Sequence, residues 1–360
     1  MSDRLDDDAL LLILDELATP SSDYAVYCAS KKALRNVCLA SSRLRRLAQP
    51  RLFRQVWVVK QLQADALKSS SVVASLGQGT VWFTVGKRGW PGSLPDAVEM
   101  AHVLPNVEKL LLSGPSTPGS LNRIASFTKL RHLSLIYSEL GGRSMVCTMP
   151  LLEELDLHGG FISYVGAPEW LQPRHFPALR ILSVVVNEEE AALVGRFELS
   201  EILCPAMLAQ LDVIHTVQEH VGLQSDLARG IAPPILFSNP LDNDYDNDND
   251  AVLPRHSIFT FPTWAKASTV AGRLRRIVVL VSDSLSSPNA VEPRILVLPR
   301  RVLTVAAQDQ YVSDAVRRLE AACGDVLRII WSGDEGTDLL SGGVSREFVR
   351  YARELKAARD

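Results

Sequence analysis

Five short apolar segments recur along the chain with the same internal spacing, and this repetition restricts the possible folds more than any other feature. Each has the form L-x-x-L-x-L, with Val replacing Leu in three of the copies. The second aliphatic position falls at 110, 133, 155, 182 and 211, so the intervals are 23, 22, 27 and 29 residues. Alternating apolar residues predict half-buried strands, and their regular return predicts strands stacked in register.

A period of 20–29 residues is typical of leucine-rich repeats. One copy buries three aliphatic side chains, which contribute about 5–9 kcal/mol, whereas ordering roughly two dozen residues costs about 1.5 kcal/mol for each. A repeat is therefore stable only between neighbours. A sixth copy is predicted at 274–279 and a degenerate strand at 81–85. We expect residues 61–360 to form an irregular leucine-rich-repeat solenoid of α/β class, with an acidic loop insertion near 238–256 and a C-terminal helical cap.

In such an array the aliphatic residues point inward, and the residues between them line an open concave face. The residues predicted to bind a partner there are Leu111, Ser113, Ser134, Ile136, Asp156, His158, Ser183, Val185, Asp212 and Ile214. This row is moderately apolar and contains two acids, so it suits a protein or peptide better than a phosphate backbone. The alternative is that the chain's own insertion covers part of this face.

The first sixty residues predict helices instead of strands. An acidic start at 6–8 suits the positive end of a helix dipole. The apolar face that follows at helical spacing consists of Leu10, Ile13, Leu14 and Leu17. Leu11 and Leu12 lie largely off that face, so the helix is apolar on more than one side and favours a binding partner. The alternative is that this helix caps the repeat array. A second helical stretch is predicted over 31–48.

Residues 5–58 together resemble an F-box. The matching residues are Leu5, Asp7, the apolar face of the first helix, the string VCLASSRLRRLA at 37–48 and PRLF at 50–53. The resemblance covers about a sixth of the chain. It implies an N-terminal three-helix F-box over residues 1–60, and the repeats that follow are similar to those of fungal F-box proteins.

The resemblance also implies a function and a set of contact residues. F-box proteins are substrate receptors of SCF-type cullin–RING ubiquitin ligases, in which the F-box binds a Skp-type adaptor and the repeats bind the protein to be ubiquitinated. The adaptor-binding residues implied here are Leu5, Leu10, Ile13, Leu14, Leu17, Val37, Cys38, Ser41 and Leu44. Asp6 stands where the family has Pro, which leaves a second interpretation: a non-ligase leucine-rich-repeat scaffold with a vestigial F-box.

Composition restricts the partners and the compartment. Hydrophobic residues make up 47% and charged residues 22%, which indicates a folded chain. A net charge of −3 argues against nucleic acid as a partner. No apolar stretch reaches the ~18–20 residues that cross a bilayer, and the five cysteines are scattered without a C-x-x-C pair. We expect a cytoplasmic or nuclear protein that is a monomer outside the ligase complex.

Motifs for catalysis and metal binding are lacking in the sequence. The acidic run at 242–250 has neither Gly at the sixth nor Glu at the twelfth position of a calcium loop. The histidines show no H-E-x-x-H spacing, and no nucleophile elbow or Walker loop occurs. The sequence therefore predicts no enzyme, no cofactor and no metal; His158, beside Asp156, is the only histidine singled out for its position.

Overall fold

The structure is a computed structural model of the 360-residue chain. It describes residues 6–21, 24–70, 76–86, 97–113, 120–136, 147–158, 171–185, 203–217, 235–239, 256–259, 261, 266–286, 295–325, 327–332 and 346–357. The chain divides into two compact units, Met1–Leu179 and Arg180–Asp360. We describe each unit separately.

The first unit begins with three helices, as predicted, although their bounds differ from the prediction. They are α1 (Asp7–Leu17), α2 (Tyr24–Ala40) and α3 (Ser42–Leu52). Their common core consists of Leu14, Ala18, Leu34, Cys38 and Ala48. Because two of these are alanines, the three helices bury little apolar surface among themselves.

The helical stretch predicted over 31–48 is two helices, because Ser41 interrupts it. The Ser41 backbone is extended, and its hydroxyl accepts a hydrogen bond from the Leu44 N–H at 3.1 Å. This is the N-cap arrangement that serine favours, and it starts α3. Pro50 does not end the helix, which continues to Leu52.

Five parallel strands follow in the described part of the first unit. They are β1 (Gln55–Val58), β2 (Trp82–Gly86), β3 (Lys109–Ser113), β4 (His132–Ile136) and β5 (Glu154–His158). Each strand pairs with the next in chain order. The connections include α4 (Gln61–Ser69) and α5 (Ser120–Ile124). The strand predicted at 81–85 is confirmed as β2.

Alternation of side chains gives this sheet two chemically different faces. On one face, a cross-strand row of fully buried residues forms the core, and it consists of Phe83, Leu110, Leu133 and Leu155. The opposite face carries polar and charged residues from the same strands. The repeated L-x-L pattern therefore builds the apolar core of this unit, as alternate positions of a strand must share a face.

Six parallel strands lie in the described part of the second unit, also in chain order. They are β6 (Ile181–Val185), β7 (Val213–Val217), β8 (Ile235–Asn239), β9 (His256–Phe259), β10 (Ile295–Pro299) and β11 (Arg328–Ser332). The helices are α6 (Pro205–Gln210), α7 (Ala267–Ser286), α8 (Arg301–Ala306), α9 (Gln310–Cys323) and α10 (Arg346–Ala357).

Helices cover both faces of this second sheet. On one face, Phe259 and Leu296 belong to a core that includes Leu274 of α7 and Leu319 of α9. On the other face, the strands pack against α10 through a separate core, which contains Val213, Ile258, Ile295, Val297, Ile330, Phe348, Val349 and Ala352. The second unit is therefore a three-layer arrangement of helix, sheet and helix.

The predicted leucine-rich-repeat solenoid is wrong. The chain is α/β, and it divides into two compact units. A solenoid leaves one face of its strands open, whereas α10 covers that face of the second sheet. The helix predicted as an end cap thus lies against the face of the sheet. Its own amphipathic pattern did not distinguish these two positions.

The predicted sixth repeat is wrong for a related reason, since its residues lie within α7. Leu274 and Ile277 are buried, but Val279, the third position of the supposed strand, is 56% exposed. The buried positions of α7 instead recur at helical intervals through Val281. Three apolar residues at this spacing fit one helix face as well as they fit a strand.

The acidic loop predicted near 238–256 lies almost entirely within residues 240–255, which are outside the described residues. Among the residues that are described, no helix is both long and apolar enough to cross a lipid bilayer.

Candidate functional site

The helical module exposes several large apolar side chains. Leu12 and Ile13 of α1 are 73% and 50% exposed, and Leu39 near the end of α2 is 74% exposed. Neither Leu12 nor Leu39 belongs to the predicted adaptor-binding set. Exposed apolar side chains on a module with so small a core are candidates for contact with a partner.

The predicted adaptor-binding residues differ in burial. Ile13 and Ser41 are exposed, whereas Leu14 and Cys38 belong to the module's own core. The half-buried members are Leu10, Leu17, Val37 and Leu44. Leu5 lies outside the described residues. Most of the set thus contributes to the packing of the module, and Ile13 is the apolar member most available to a partner.

Arginines of α3 hold α1 in place. The Arg51 guanidinium donates two hydrogen bonds to the Asp15 carboxylate, at 3.0 and 2.8 Å, and this bond lowers the pKa of Asp15. Arg43 pairs with Asp7 at 2.5 Å. Because these pairs are partly exposed, each contributes about 1 kcal/mol or less. Their main effect is to fix the orientation in which α1 presents its exposed leucine and isoleucine.

The second candidate site is the polar face of the first unit's sheet. Register places Leu111, Ser134 and Asp156 in one cross-strand row, with Ser113, Ile136 and His158 in the next. These residues share a face, but those whose side chains are described are at most 5% exposed. The face is therefore covered and does not offer these side chains to a partner in this state.

His132 of β4 is held between two carboxylates of β5. Its Nε2 lies 2.6 Å from Asp156 Oδ2, and its Nδ1 lies 2.9 Å from Glu154 Oε2. The geometry follows from register, which sets Glu154 opposite His132, so that Asp156, two residues on, faces the same side. Lys109 lies opposite His132 on β3, with its Nζ 4.2 Å from the centroid of the Trp82 ring.

These contacts change the acidity of the groups involved. Burial alone lowers the pKa of His132, but the negative charges of Glu154 and Asp156 outweigh that effect and raise it to about 9. Burial raises the pKa of Asp156, and the charge and hydrogen bond of His132 counter that rise only in part. The Asp156 carboxyl is fully buried. The proton shared between these residues is therefore retained at neutral pH.

The same face contains buried oxygen atoms that lack a hydrogen-bond partner within the described part of the chain. They are Thr84 Oγ1, Ser113 Oγ, Ser134 Oγ and Asp156 Oδ1. Each such group costs about 1–3 kcal/mol if it stays unsatisfied. Buried polar groups in folded proteins are normally bonded to protein, water, an ion or a ligand. This face is chemically suited to hold a small polar species.

In the second unit, the pairing of the two strands is shifted by three residues from the predicted alignment, which set Ser183 opposite Asp212. Ser183 lies opposite His215, and its hydroxyl is 2.6 Å from His215 Nδ1. Ile214 lies opposite Leu182, on the other face from Ser183. The cause is that the Leu211 N–H bonds the Met207 carbonyl at 3.1 Å, so Leu211 closes helix α6 and is not part of the strand.

Asp212 contacts the chain's own last helix. Its carboxylate accepts a hydrogen bond from Arg353 Nε at 2.8 Å and lies 3.7 Å from Lys356 Nζ. Lys356 also donates to the carbonyls that end α6, including that of Ala209 at 2.8 Å. Asp212 therefore anchors α10. Val185 lies at the end of β6 in the same unit.

Sequence reasoning missed His132, Glu154 and Lys109, although a signal for them was present. In their repeats His132 and Glu154 stand one residue before the second aliphatic position, while Ser134 and Asp156 stand one residue after it. Since alternate residues share a face, both positions belong to the same polar row. The predicted row included only the later positions.

Comparison with known proteins adds no family to this description. No protein-family model matches the chain, and no curated protein matches it.

Proposed function

We propose that the chain is a non-catalytic adaptor whose N-terminal helices bind a Skp-type adaptor of an SCF-type cullin–RING ubiquitin ligase. The remainder of the chain binds the protein to be ubiquitinated, in the cytoplasm or nucleus. The observation that carries the proposal is the exposure of Leu12, Ile13 and Leu39 on a three-helix module. The F-box resemblance of residues 5–58 gives the class of partner.

The exposed side chains give the proposal its energetic basis. Fully burying one such aliphatic side chain contributes about 1.5–3 kcal/mol. Leu12, Ile13 and Leu39 retain half to three quarters of their exposure, so covering all three would contribute about 3–6 kcal/mol. That is a substantial part of the ~8 kcal/mol that corresponds to a micromolar complex.

The substitution of Asp for the family's Pro does not disturb the start of α1. Asp6 has φ −59° and ψ 150°, and its carbonyl accepts the Leu10 N–H at 3.1 Å. Proline has φ near −65°, so Asp6 already adopts the conformation that proline would impose. This weakens the main reason for the interpretation as a vestigial F-box in a non-ligase scaffold.

The test is binding of the full-length chain to a purified Skp-type adaptor, measured by calorimetry. The variant Leu12→Asp/Ile13→Asp should bind at least tenfold more weakly, because it places two charges in the interface. The matched control is Val279→Asp, which alters an equally exposed aliphatic residue of the second unit and should bind as the wild type does. Thermal unfolding of both variants checks that the module remains folded.

Two outcomes would overturn the proposal. One is a wild-type chain that does not bind the Skp-type adaptor at micromolar concentrations. The other is a folded Leu12→Asp/Ile13→Asp variant that binds as tightly as Val279→Asp. Stable binding of other partners, without any ubiquitination in a reconstituted cullin complex, would favour the non-ligase scaffold.

A further inference from the structure

The cluster of His132, Glu154 and Asp156 brings together three side chains that ligate metals. One ligand atom from each can be chosen so that all lie within 4.8 Å of one another. Ligand atoms on one tetrahedral Zn²⁺ ion are ~3.3 Å apart. The cluster therefore needs a movement of about one ångström to close around an ion, with the imidazole giving up one of its carboxylate contacts.

An independent observation points to a bound species at the same place. Asp156 Oδ1 and Ser134 Oγ are both buried without a hydrogen-bond partner among the described residues. The two residues lie directly opposite each other on β4 and β5, where side chains are neighbours, yet they do not bond to each other. A single species bound between the strands would satisfy both atoms.

Charge and ligand type indicate which species this is. Once a metal displaces the proton of the imidazole, as ligation requires, the described charges of the cluster are two carboxylates and the ammonium group of Lys109, which sum to −1. This favours a cation. Ca²⁺ and Mg²⁺ prefer sets made only of oxygen ligands, whereas an imidazole with carboxylates suits Zn²⁺.

We propose that His132, Glu154 and Asp156 bind one Zn²⁺ ion, with the Ser134 hydroxyl beside the site. The ion links β4 to β5 and accounts for the buried oxygen atoms of Asp156 and Ser134. His132 lies 22 residues before Glu154 and 24 before Asp156 in the sequence, so no short metal-binding motif identifies the site. Because the ligands come from two neighbouring strands and Asp156 is fully buried, the ion stabilises the first unit. This inference is independent of the adaptor proposal.

The test uses the full-length chain, freed of metal with EDTA and then dialysed. Zn²⁺ affinity is measured by competition with a chromophoric chelator, and stoichiometry by elemental analysis. The wild type should bind one Zn²⁺ ion per chain, and its unfolding temperature should rise when the ion is added. Ca²⁺ should produce neither effect.

Substitutions locate the site. Asp156→Asn and Glu154→Gln keep the size of each side chain and should each weaken Zn²⁺ binding at least tenfold, and His132→Gln at least a hundredfold. The matched control is His175→Gln, in the same unit: His175 is also buried, but its ring bonds the Cys147 carbonyl and Arg174 instead of carboxylates. This control should bind Zn²⁺ as the wild type does.

The isosteric carboxylate variants keep the test decisive if His132→Gln does not fold. The proposal is overturned if the wild type takes up less than one equivalent of Zn²⁺ at a tenfold molar excess. It is also overturned if Asp156→Asn and Glu154→Gln bind the ion as tightly as His175→Gln, because the ion would then lie elsewhere. In either case, buried water would be the species that satisfies Asp156 and Ser134.

Discussion

Replacing His132 and Asp156 together by neutral amides should remove a specific pH dependence from the unfolding free energy. In the folded chain the His132 ring lies between two carboxylates, which raise its pKa to about 9. In the unfolded chain the same ring titrates near its ordinary value of ~6.5. Between pH 6.5 and about 9, His132 therefore keeps its proton in the folded chain and loses it in the unfolded chain.

The magnitude follows from the size of this shift. The pKa rises from 6.5 to about 9, and one pKa unit corresponds to ~1.4 kcal/mol, so the effect is about 3 kcal/mol. The stabilisation is complete below pH ~6.5 and is lost as the pH rises through about 9. The raised pKa of Asp156 acts in the same direction at lower pH, because a carboxyl that retains its proton when folded becomes destabilising as that proton is lost.

The assay is urea unfolding of the wild type and of His132→Gln/Asp156→Asn, at pH 6.0 and at pH 9.5. EDTA is present throughout, so that bound metal does not contribute. The unfolding free energy of the wild type should fall by at least about 3 kcal/mol more than that of the variant over this range, because loss of the Asp156 proton, whose pKa is raised to about 7, adds to the effect of His132. Other titrating groups cancel in the comparison, including Lys31, whose pKa burial lowers to about 8.

The double variant is necessary because removing His132 alone would leave the buried carboxyl of Asp156 without its counter-ion. That carboxyl would then titrate in the same pH range and imitate the effect. If the two proteins lose the same unfolding free energy between pH 6.0 and 9.5, within about 0.5 kcal/mol, the ion pairs do not hold the proton on His132 and the electrostatic reasoning is refuted.

Two further predictions concern the ends of the chain. Asp6→Pro should change the unfolding free energy by less than about 1 kcal/mol and leave adaptor binding intact, because the backbone already has φ −59°; loss of adaptor binding by calorimetry would contradict this. Phe348→Ala should lower the unfolding free energy by about 3–5 kcal/mol, since Phe348 is fully buried against the second sheet. Its control, Arg350→Ala on the exposed side of α10, should change it by less than about 0.5 kcal/mol in the same urea experiment. Equal effects of Phe348→Ala and Arg350→Ala would show that α10 does not pack as described.

The sequence predicted the strands of the first unit because their apolar residues alternate and recur at short intervals. The same pattern failed at Leu211 and at Leu274, where helices supply apolar residues at three-residue spacing. Leu211 closes a helix through its bond to Met207, and Leu274 lies on the buried stripe of α7. Three apolar residues at this spacing fit the period of a strand and the period of a helix equally well. Only tertiary packing decides between the two structures.

The candidate sites show a second limit of sequence reasoning. Alternation correctly groups Ser134 with Asp156, but it cannot say whether their face is open, because that depends on what packs above the sheet. The two residues are fully buried. On the helices, the family pattern selected residues such as Leu14 that form the module's own core, while the most exposed leucine of α1, Leu12, lies outside the pattern. Resemblance identifies a module more readily than it identifies the surface that binds.

The two units bury the polar residues of their strands in different ways. In the second unit the strand face that packs against α10 carries Ile258 and Val297, and the buried His256 ring lies against the rings of Phe348 and Tyr351. In the first unit the corresponding rows carry Lys109, His132 and Glu154. An apolar surface can cover those charges only where they are paired, because burying a charge without a partner costs more than the apolar contacts contribute. Pairing between neighbouring strands meets this requirement for His132, which lies between the carboxylates of Glu154 and Asp156.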